Sequence, residues 1–283
     1  MLISNEQKSL SVLQRETIAV VIPTFNVEMI IRLCLDQLTW VDEVVIVDMF
    51  STDRTKEICA SYPNVRFFER KDYIFANVNY GMEQANTDWV IRLDSDEILD
   101  AELQASIQKT LSHSNPEISG YYFPSVQYMF GLPMSYGVGK TDFCLRKCMF
   151  RKGTAYYECI SEHEDITASG KLEVLSGHYE HLTNHTVEEV VRKFNYYTTK
   201  DVERLTAEIV AMPEKPLRTM YKAFRMFVLY YFQWKGYKDG WLGFYTSLFR
   251  GPVYIFIEDA KRWERWRSHL GKSSSLDRYL NPP

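Results

Sequence analysis

The first hundred residues alternate short apolar runs with segments of helical spacing, and this alternation restricts the chain to few folds. The apolar runs are rich in β-branched residues, and we interpret them as buried strands over 18–22, 44–47, 65–68 and 89–93. Between them, helical patterns cover 27–38, 52–62 and 75–85. Strands that are apolar on both faces and alternate with helices predict a parallel sheet built from βαβ units.

Polar residues follow the point where each predicted strand ends. In strand order they are Thr24 and Asn26, then Asp48, then Glu69 and Arg70, then Asp94 and Asp96. Ligands of open α/β sheets bind outside the carboxyl ends of the strands. We therefore expect these side chains to line one binding site.

The segment Asp94-Ser95-Asp96-Glu97 is a candidate metal site. On an extended backbone, residues i and i+2 project to the same side, so Asp94 and Asp96 can direct two carboxylates to one point. Mg²⁺ or Mn²⁺ is typically held by one or two carboxylates together with substrate phosphates. The motif alone also fits a solvated acidic turn, but the polar groups at the other strand ends favour a site.

The pattern changes beyond residue 100. A helix over 101–111 is followed by extended segments up to 175, and a capping-box signature from Thr186 to Glu189 opens a series of aromatic-rich helices. We predict an N-terminal extension over 1–17, a catalytic domain over 18–185 with halves 18–100 and 101–185, and a helical region over 186–283.

Composition narrows the class of protein. The net charge of −4 over 283 residues argues against a nucleic-acid partner. Five cysteines without a C-x-x-C pair favour a reducing compartment. Residues 1–17 lack the apolar core of a signal peptide, and no apolar run approaches the ~20 residues of a membrane span. We expect a cytoplasmic protein.

Six motifs stand in a fixed order along the chain. They are VIPTFN at 21–26 with Glu28, VDMFSTDRT at 47–55, LDSDE at 93–97, DFCLR at 142–146, HE at 163–164 and HY at 178–179. Together they resemble the family 2 glycosyltransferases of the GT-A fold, nearest the bacterial subgroup that includes lipopolysaccharide-core β-glucosyltransferases. The resemblance implies an α/β fold with a Rossmann-like, mostly parallel nucleotide-binding sheet, flanking helices and a C-terminal helical appendage.

The resemblance also implies an activity and roles for residues. A sugar would pass, with inversion, from a nucleotide diphosphate sugar to a hydroxyl of a saccharide or lipid-linked acceptor, with Mg²⁺ or Mn²⁺, in lipopolysaccharide or surface-polysaccharide synthesis. Donor-binding residues would be Pro23, Thr24, Asn26 and Glu28 around the nucleoside, Asp48 at the base, Asp94 near the ribose, and Ser95. Asp96 and His178 would bind the metal. For His178, the alternative is a core histidine bonded to backbone; His181 and His185 are assigned to the approach to the next helix.

One position departs from the family pattern. The family commonly has a basic residue before the asparagine of the third helix, near the diphosphate, and this chain has Val78 before Asn79. Arg70, Lys71 or another cation would have to compensate. A nucleotide-sugar-binding scaffold without full activity is therefore the main alternative function. A sugar nucleotidyltransferase is disfavoured because the loop after the first strand has neither glycine nor positive charge.

An inverting transfer needs a base for the acceptor hydroxyl. We favour Glu164, because His163-Glu164 matches a paired position in the subgroup, and place Asp142 second. The alternative for residues 162–165 is a solvated acidic loop.

The C-terminal helices carry two features suited to a surface. Apolar residues recur at helical spacing from Met220 to Tyr231, and segment 261–267 mixes two tryptophans with basic residues. Such a mixture is typical of membrane interfaces. We expect peripheral contact with the inner face of the cell membrane; the alternatives are packing on the catalytic domain or a homodimer interface.

Overall fold

The computed structural model describes residues 15–139, 145–160, 165–206 and 215–269. The chain divides into two compact units. The first comprises the described parts of Met1–Ser125 and Leu145–His181, and the second those of Val126–Cys144 and Leu182–Pro283. Residues 126–139, which the sequence analysis groups with the acceptor half, thus belong to the same unit as the C-terminal helices.

The described strands and helices follow one another in a mixed α/β order. The strands are β1 (Ile18–Thr24), β2 (Glu43–Asp48), β3 (Val65–Glu69), β4 (Trp89–Arg92), β5 (Glu97–Leu99), β6 (Ile118–Met129), β7 (Leu132–Pro133), β8 (Leu145–Arg151), β9 (Ala155–Tyr156), β10 (Thr167–Ala168), β11 (Lys171–Val174) and β12 (Tyr179–His181). The α-helices are α1 (Ile31–Asp36), α2 (Thr55–Cys59), α3 (Ile74–Gln84), α4 (Ala101–Ser112), α5 (Val187–Thr206), α6 (Pro216–Val228), α7 (Gly240–Leu248) and α8 (Tyr254–His269). Short 3₁₀ helices span Gly137–Gly139 and Gly236–Asp239, and π-helical turns span Leu229–Gln233 and Phe249–Val253.

The predicted parallel sheet is confirmed for the first four strands. They lie in the order β3-β2-β1-β4 and all pair in parallel, so their carboxyl ends meet at one edge. Strand β8 then pairs antiparallel with both β4 and β6. The expected α/β architecture with a C-terminal helical region is therefore confirmed.

Both faces of the sheet are covered, which explains why its strands read as continuous apolar runs. Alternate residues of β1 enter two separate cores. Ile18, Val20 and Ile22 lie in one core, and Ala19 and Val21 lie in the other. Helix α3 lies very close to the sheet. A Cβ at Gly81 would stand 2.4 Å from Cγ1 of Val21, so this helix packs only because residue 81 is glycine.

Two helices of the first unit are shorter than predicted. Residues 27–30 form a turn in which the N–H groups of Ile30 and Ile31 both donate to the carbonyl of Val27, so α1 begins only at Ile31. Helix α2 begins at Thr55, whose N–H donates to the carboxylate of Asp53. Both shortened starts lie at the edge where the polar residues collect.

The second unit has its own small core and a capped helix. Met129, Met134, Val190 and Phe194 are buried together there. At the start of α5, the hydroxyl of Thr186 accepts from the N–H of Glu189, whose carboxylate accepts from the N–H of His185 at 2.9 Å. The predicted capping interaction is therefore present, with the carboxylate bonded one residue before Thr186.

Among the described helices, none has both the length and the apolar character needed to cross a bilayer.

Candidate functional site

Two loops at the carboxyl edge of the sheet are bonded to each other. Asn26, with φ of 50°, accepts through Oδ1 from the N–H of Thr52 at 2.8 Å and donates its own N–H to Oγ of Ser51 at 2.8 Å. Asparagine tolerates this left-handed conformation better than most residues. Glu28 accepts through Oε2 from the N–H of Arg54 at 2.9 Å. Asn26 and Glu28, two of the four residues predicted around the nucleoside, therefore hold the loop after β1 against the loop after β2.

Asp48 is buried where β2 ends and organises the same edge. It is 1% exposed and accepts from the hydroxyls of Thr24 at 2.7 Å and Ser51 at 2.6 Å, and from the N–H of Ser51 at 2.7 Å. Pro23 lies on β1 opposite Val47 of β2. The structure thus brings the predicted residues of the first two strand ends together.

Arg70 follows β3 at the neighbouring position of the edge. Its guanidinium pairs with Asp72 at 2.7 Å and lies 4.9 Å from the ring centroid of Tyr80. The side chain is partly exposed, and its cation already has an anionic partner.

Asp94 lies in the turn between β4 and β5 and contacts two arginines. Its Oδ2 is 2.8 Å from Nη1 of Arg92 and 3.4 Å from Nη1 of Arg146. Burial alone would raise the pKa of Asp94, but the two guanidinium groups hold that pKa below its ordinary value. Asp94 is therefore an ionised carboxylate, an acceptor of hydrogen bonds, at neutral pH.

A buried glutamate completes this cluster. The side chain of Glu97 is fully buried, and its Oε2 accepts from the N–H of Asp94 at 2.8 Å and pairs with Arg146. Arg92 is also buried, with Nη1 at 4.0 Å from Oε2 of Glu97. Two guanidinium groups and two carboxylates thus form one charge-balanced cluster, which fixes the turn that carries Asp96.

Arg92, Arg146 and Glu97 have no predicted role, although Glu97 and Arg146 stand within two of the six motifs. Arg92 carried a signal all the same, because a charged residue inside an apolar strand is almost never buried without a partner. Within the described chain, Nε of Arg92 and Oε1 of Glu97 have no hydrogen-bond partner.

Asp96 lies beside a histidine, and that histidine is His181. Its Nε2 is 3.5 Å from Oδ2 of Asp96. Burial lowers the pKa of His181, but the hydrogen bond with Asp96 and the negative charges of Glu97 and Asp94 outweigh burial and raise it above the ordinary value. The assignment of His181 to a helix approach was wrong. It lies on β12, whose pairing with β5 sets His181 opposite Glu97.

His178 has a different partner. Its Nδ1 is 3.0 Å from Oδ2 of Asp100, and its N–H donates to Oδ1 of the same carboxylate at 3.1 Å. Asp100 also caps α4 by accepting from the N–H of Leu103 at 2.7 Å. A metal-binding role for His178 stays a prediction, whereas His181 is the histidine that the structure sets against Asp96.

The remaining predicted residues divide into buried and undescribed ones. Ser95 is 9% exposed within the acidic turn. Val78 is fully buried in the core between α3 and the sheet, so its side chain packs there. Glu164 and Asp142 lie outside the described residues. Next to this gap, Asp165 pairs with Lys147 at 2.8 Å.

The acidic turn offers few protein ligands for a metal. Over the residues with described positions, no three His, Cys, Asp or Glu side chains form a ready metal cage. Asp96 and His181 present one carboxylate and one imidazole. Mn²⁺ accepts both ligand types, and Mg²⁺ and Mn²⁺ sites often use few protein ligands together with substrate phosphates. The donor set therefore fits a cation that is completed by a diphosphate.

The chain is similar to known glycosyltransferases. Residues 19–136 match the family described as glycosyl transferase family 2. The lipopolysaccharide core biosynthesis glycosyltransferase LpsC of Rhizobium meliloti is 26% identical over 251 residues, which cover 85% of this chain and 89% of that protein. An uncharacterized glycosyltransferase of Rickettsia typhi is 24% identical over 59% of this chain and 60% of its own length.

Two solved structures are also similar. S. aureus TarS 1–349 in complex with UDP-GlcNAc aligns over 90% of this chain and 92% of its own, with a TM-score of 0.45 and 16% identity. Glucosyl-3-phosphoglycerate synthase from Mycobacterium tuberculosis, solved with Mn²⁺, UDP and glucosyl-3-phosphoglycerate, aligns over 40% of this chain and 44% of its own, with a TM-score of 0.34 and 22% identity.

Proposed function

We propose that the chain transfers a sugar, with inversion, from a nucleotide diphosphate sugar to a hydroxyl of a saccharide acceptor, and the match of residues 19–136 to glycosyl transferase family 2 supports this proposal. The observation that carries the proposal is the acidic turn after the fourth parallel strand. There, Asp96 lies at 3.5 Å from His181, and Asp94 is fixed by Arg92 and Arg146.

The edge of the sheet supports donor binding. An ionised Asp94 accepts hydrogen bonds, as the hydroxyls of a ribose require. Pro23, Thr24, Asn26 and Glu28 belong to the bonded loop pair and would surround the nucleoside. Asp48 would contact the base, and Ser95 and Arg70 would lie along the donor.

Asp96 and His181 would hold Mg²⁺ or Mn²⁺, and His178 is retained as a further predicted ligand. A bound cation would stabilise negative charge on the departing diphosphate as a Lewis acid. Asp94, held by its two arginines, would keep the nucleotide oriented. Glu97 fixes the turn that carries Asp96, and β12 fixes His181. The side chains of Asp96 and His181 are therefore positioned before any donor binds.

One relative supports a proposal for the acceptor class. The similarity to a lipopolysaccharide core biosynthesis glycosyltransferase supports a saccharide of lipopolysaccharide or of a surface polysaccharide. A lipid-linked acceptor at the inner face of the membrane is part of the same proposal. The scaffold alternative rested on Val78. Val78 packs in the core between α3 and the sheet, so a cation at the diphosphate would have to come from another residue.

A thermal-shift series tests the proposal. UDP-, GDP- and dTDP-sugars are each added with and without Mn²⁺, and one donor class is expected to stabilise the protein in a metal-dependent manner. A ligand at 100 times its Kd stabilises the folded state by ~2.7 kcal/mol. Slow hydrolysis of the same sugar nucleotide should accompany binding. If no sugar nucleotide stabilises the protein with either Mn²⁺ or Mg²⁺, the proposal fails.

The catalytic base is predicted to be Glu164. Glu164→Gln keeps the shape of the side chain and removes its proton acceptor, so kcat should fall by ~10²-fold or more while the thermal shift by the donor persists. The matched control is Glu173→Gln, because Glu173 is an exposed carboxylate on β11 that pairs only with Lys171 in the described contacts. An active Glu164→Gln beside an inactive Asp142→Asn would exchange the two roles.

A further inference from the structure

The second unit exposes a set of large apolar side chains that the proposed chemistry does not use. We call them the aromatic face, and each is 45–81% exposed. They are Leu217, Met220, Tyr221, Phe224, Phe232, Tyr237, Trp241 and Tyr245. Exposed apolar patches of this kind mark interaction surfaces.

The first half of the aromatic face is one side of α6. Positions 217, 220, 221 and 224 recur at intervals of three and four residues, so their side chains lie along one stripe of the helix. The opposite side buries Thr219 and Ala223. Helix α6 therefore has a buried stripe that packs against the protein and a second, apolar stripe that is exposed.

Ring contacts join the second half of the face into one cluster. Phe232 lies 6.4 Å from Phe227 between ring centroids, and Phe227 lies 5.8 Å from Phe244. Phe244 in turn contacts Trp241 at 6.1 Å, and Trp241 stacks with Tyr245 at 6.0 Å. Phe227 lies on α6, and both Phe227 and Phe244 are partly buried. These two rings therefore connect the α6 half of the aromatic face with its second half.

The same segment is strongly basic. Residues 215–241 contain six basic side chains, Lys215, Arg218, Lys222, Arg225, Lys235 and Lys238, and one acidic one, Asp239, which gives +6 − 1 = +5. The whole chain has a net charge of −4. Asp239 accepts from the N–H groups of Ser135 and Tyr136, so its carboxylate serves the fold.

Segment 261–267, which was predicted to contact the membrane, has cations that bond to other residues of the second unit. Lys261 donates to the hydroxyls of Thr198 and Thr199 on α5. Arg262 pairs with Glu258 of its own helix, and Arg265 is 3.3 Å from Glu203 on α5. These cations join α8 to α5 or to itself. Arg218 and Lys222 also make contacts within the protein, and Lys222 and Arg225 line a cavity together with Glu258 and Asp259. What distinguishes the aromatic face is that its exposed rings lie in a segment of net positive charge.

We propose that the aromatic face binds the surface of a lipid bilayer with anionic headgroups. Its rings would enter the interface, and its lysines and arginines would lie among the headgroups, each contributing up to ~1 kcal/mol there. Self-association through this face is disfavoured, because it would bring two segments of charge +5 together. Attachment should be reversible and weakened by salt.

This inference rests on the proposed function only in its purpose, which is to meet a lipid-linked acceptor. The test is co-sedimentation of the full chain with vesicles, in the absence of donor and acceptor. Vesicles of phosphatidylcholine alone are compared with vesicles that also contain phosphatidylglycerol. The wild type should bind the anionic vesicles, and high salt should release it.

The chain offers a variant and a control of matched composition. Phe224→Ser with Trp241→Ser removes two rings of the aromatic face and should weaken binding to anionic vesicles roughly tenfold or more. Phe256→Ser with Trp263→Ser removes two rings of α8, each 48% exposed, and should leave binding unchanged. Because all four side chains are exposed, both variants should retain the wild-type circular dichroism spectrum.

Three outcomes would overturn the inference. They are a wild type that ignores anionic vesicles, a control pair that loses binding while the face variant keeps it, and a face variant that instead dissociates a dimer in light scattering. The sugar-nucleotide thermal shift does not involve lipid, so a wild type that shows the shift but does not bind anionic vesicles would reject the membrane inference and leave the transferase proposal standing.

Discussion

Replacing Asp96 with alanine is expected to abolish sugar transfer while the fold remains intact. The side chain is 30% exposed, so its removal opens no cavity in the core and takes a partner only from His181, which is itself 27% exposed. If Asp96 holds the cation, the variant loses stabilisation of charge on the departing diphosphate, and groups of that kind contribute about 10²–10³-fold or more to kcat. The metal-dependent part of the donor thermal shift should vanish as well.

Asp36→Asn is the matched control for this variant. Asp36 is an exposed carboxylate at the end of α1, and its described partner is the hydroxyl of Tyr62. It should transfer sugar like the wild type. Full activity of Asp96→Ala, or full activity of the wild type in excess chelator, would rule out the metal site at this turn.

Glu97→Gln is expected to destabilise the first unit more than any single surface change. It removes one of two carboxylates from a buried cluster and leaves Arg92 and Arg146 with Asp94 alone. Breaking a buried ion pair by removing one partner typically costs 3–5 kcal/mol, because an uncompensated charge stays buried. Urea denaturation of the full chain should show a matching loss in the free energy of unfolding.

The control here is Glu69→Gln, which breaks the exposed pair of Lys56 and Glu69 at 2.9 Å. Exposed pairs contribute about 0–1 kcal/mol, so this variant should unfold almost as the wild type does. If Glu97→Gln and Glu69→Gln prove equally stable, the cluster does not hold the turn, and the position of Asp96 needs another explanation.

The parallel half of the sheet was predictable because each of its strands is marked by a pattern within its own few residues. Strands β1, β2 and β4 are buried on both faces, so each shows an unbroken apolar run, and each ends in a polar residue. The lengths of α1 and α2 were not predictable in this way. They are set by bonds between loops distant in sequence, such as the N–H of Val27 to the hydroxyl of Thr55.

The site was only partly predictable for a similar reason. The spacing of Asp94 and Asp96 in the sequence was enough to select them as candidates. Which histidine lies beside Asp96, His178 or His181, depends instead on the register of β12 against β5. A shift of one residue in register turns every side chain to the other face, and no local pattern in a three-residue strand fixes it. The role of Arg92 and Arg146 was not predicted, because it depends on the burial of their partner Glu97, which the sequence around Glu97 does not reveal.

The hydrogen bonds between the loops after β1 and β2 have a consequence for recognition. Since Asn26 and Glu28 already fix the backbone of the opposite loop at Thr52 and Arg54, this part of the proposed nucleoside site is preorganised. A ligand that enters it loses its own freedom but does not have to order these loops, and ordering a residue costs roughly 1–2 kcal/mol in backbone entropy. If a nucleoside binds here as proposed, its affinity would be governed by shape and hydrogen-bond complementarity, and a mismatched nucleobase would find little backbone freedom with which to adapt.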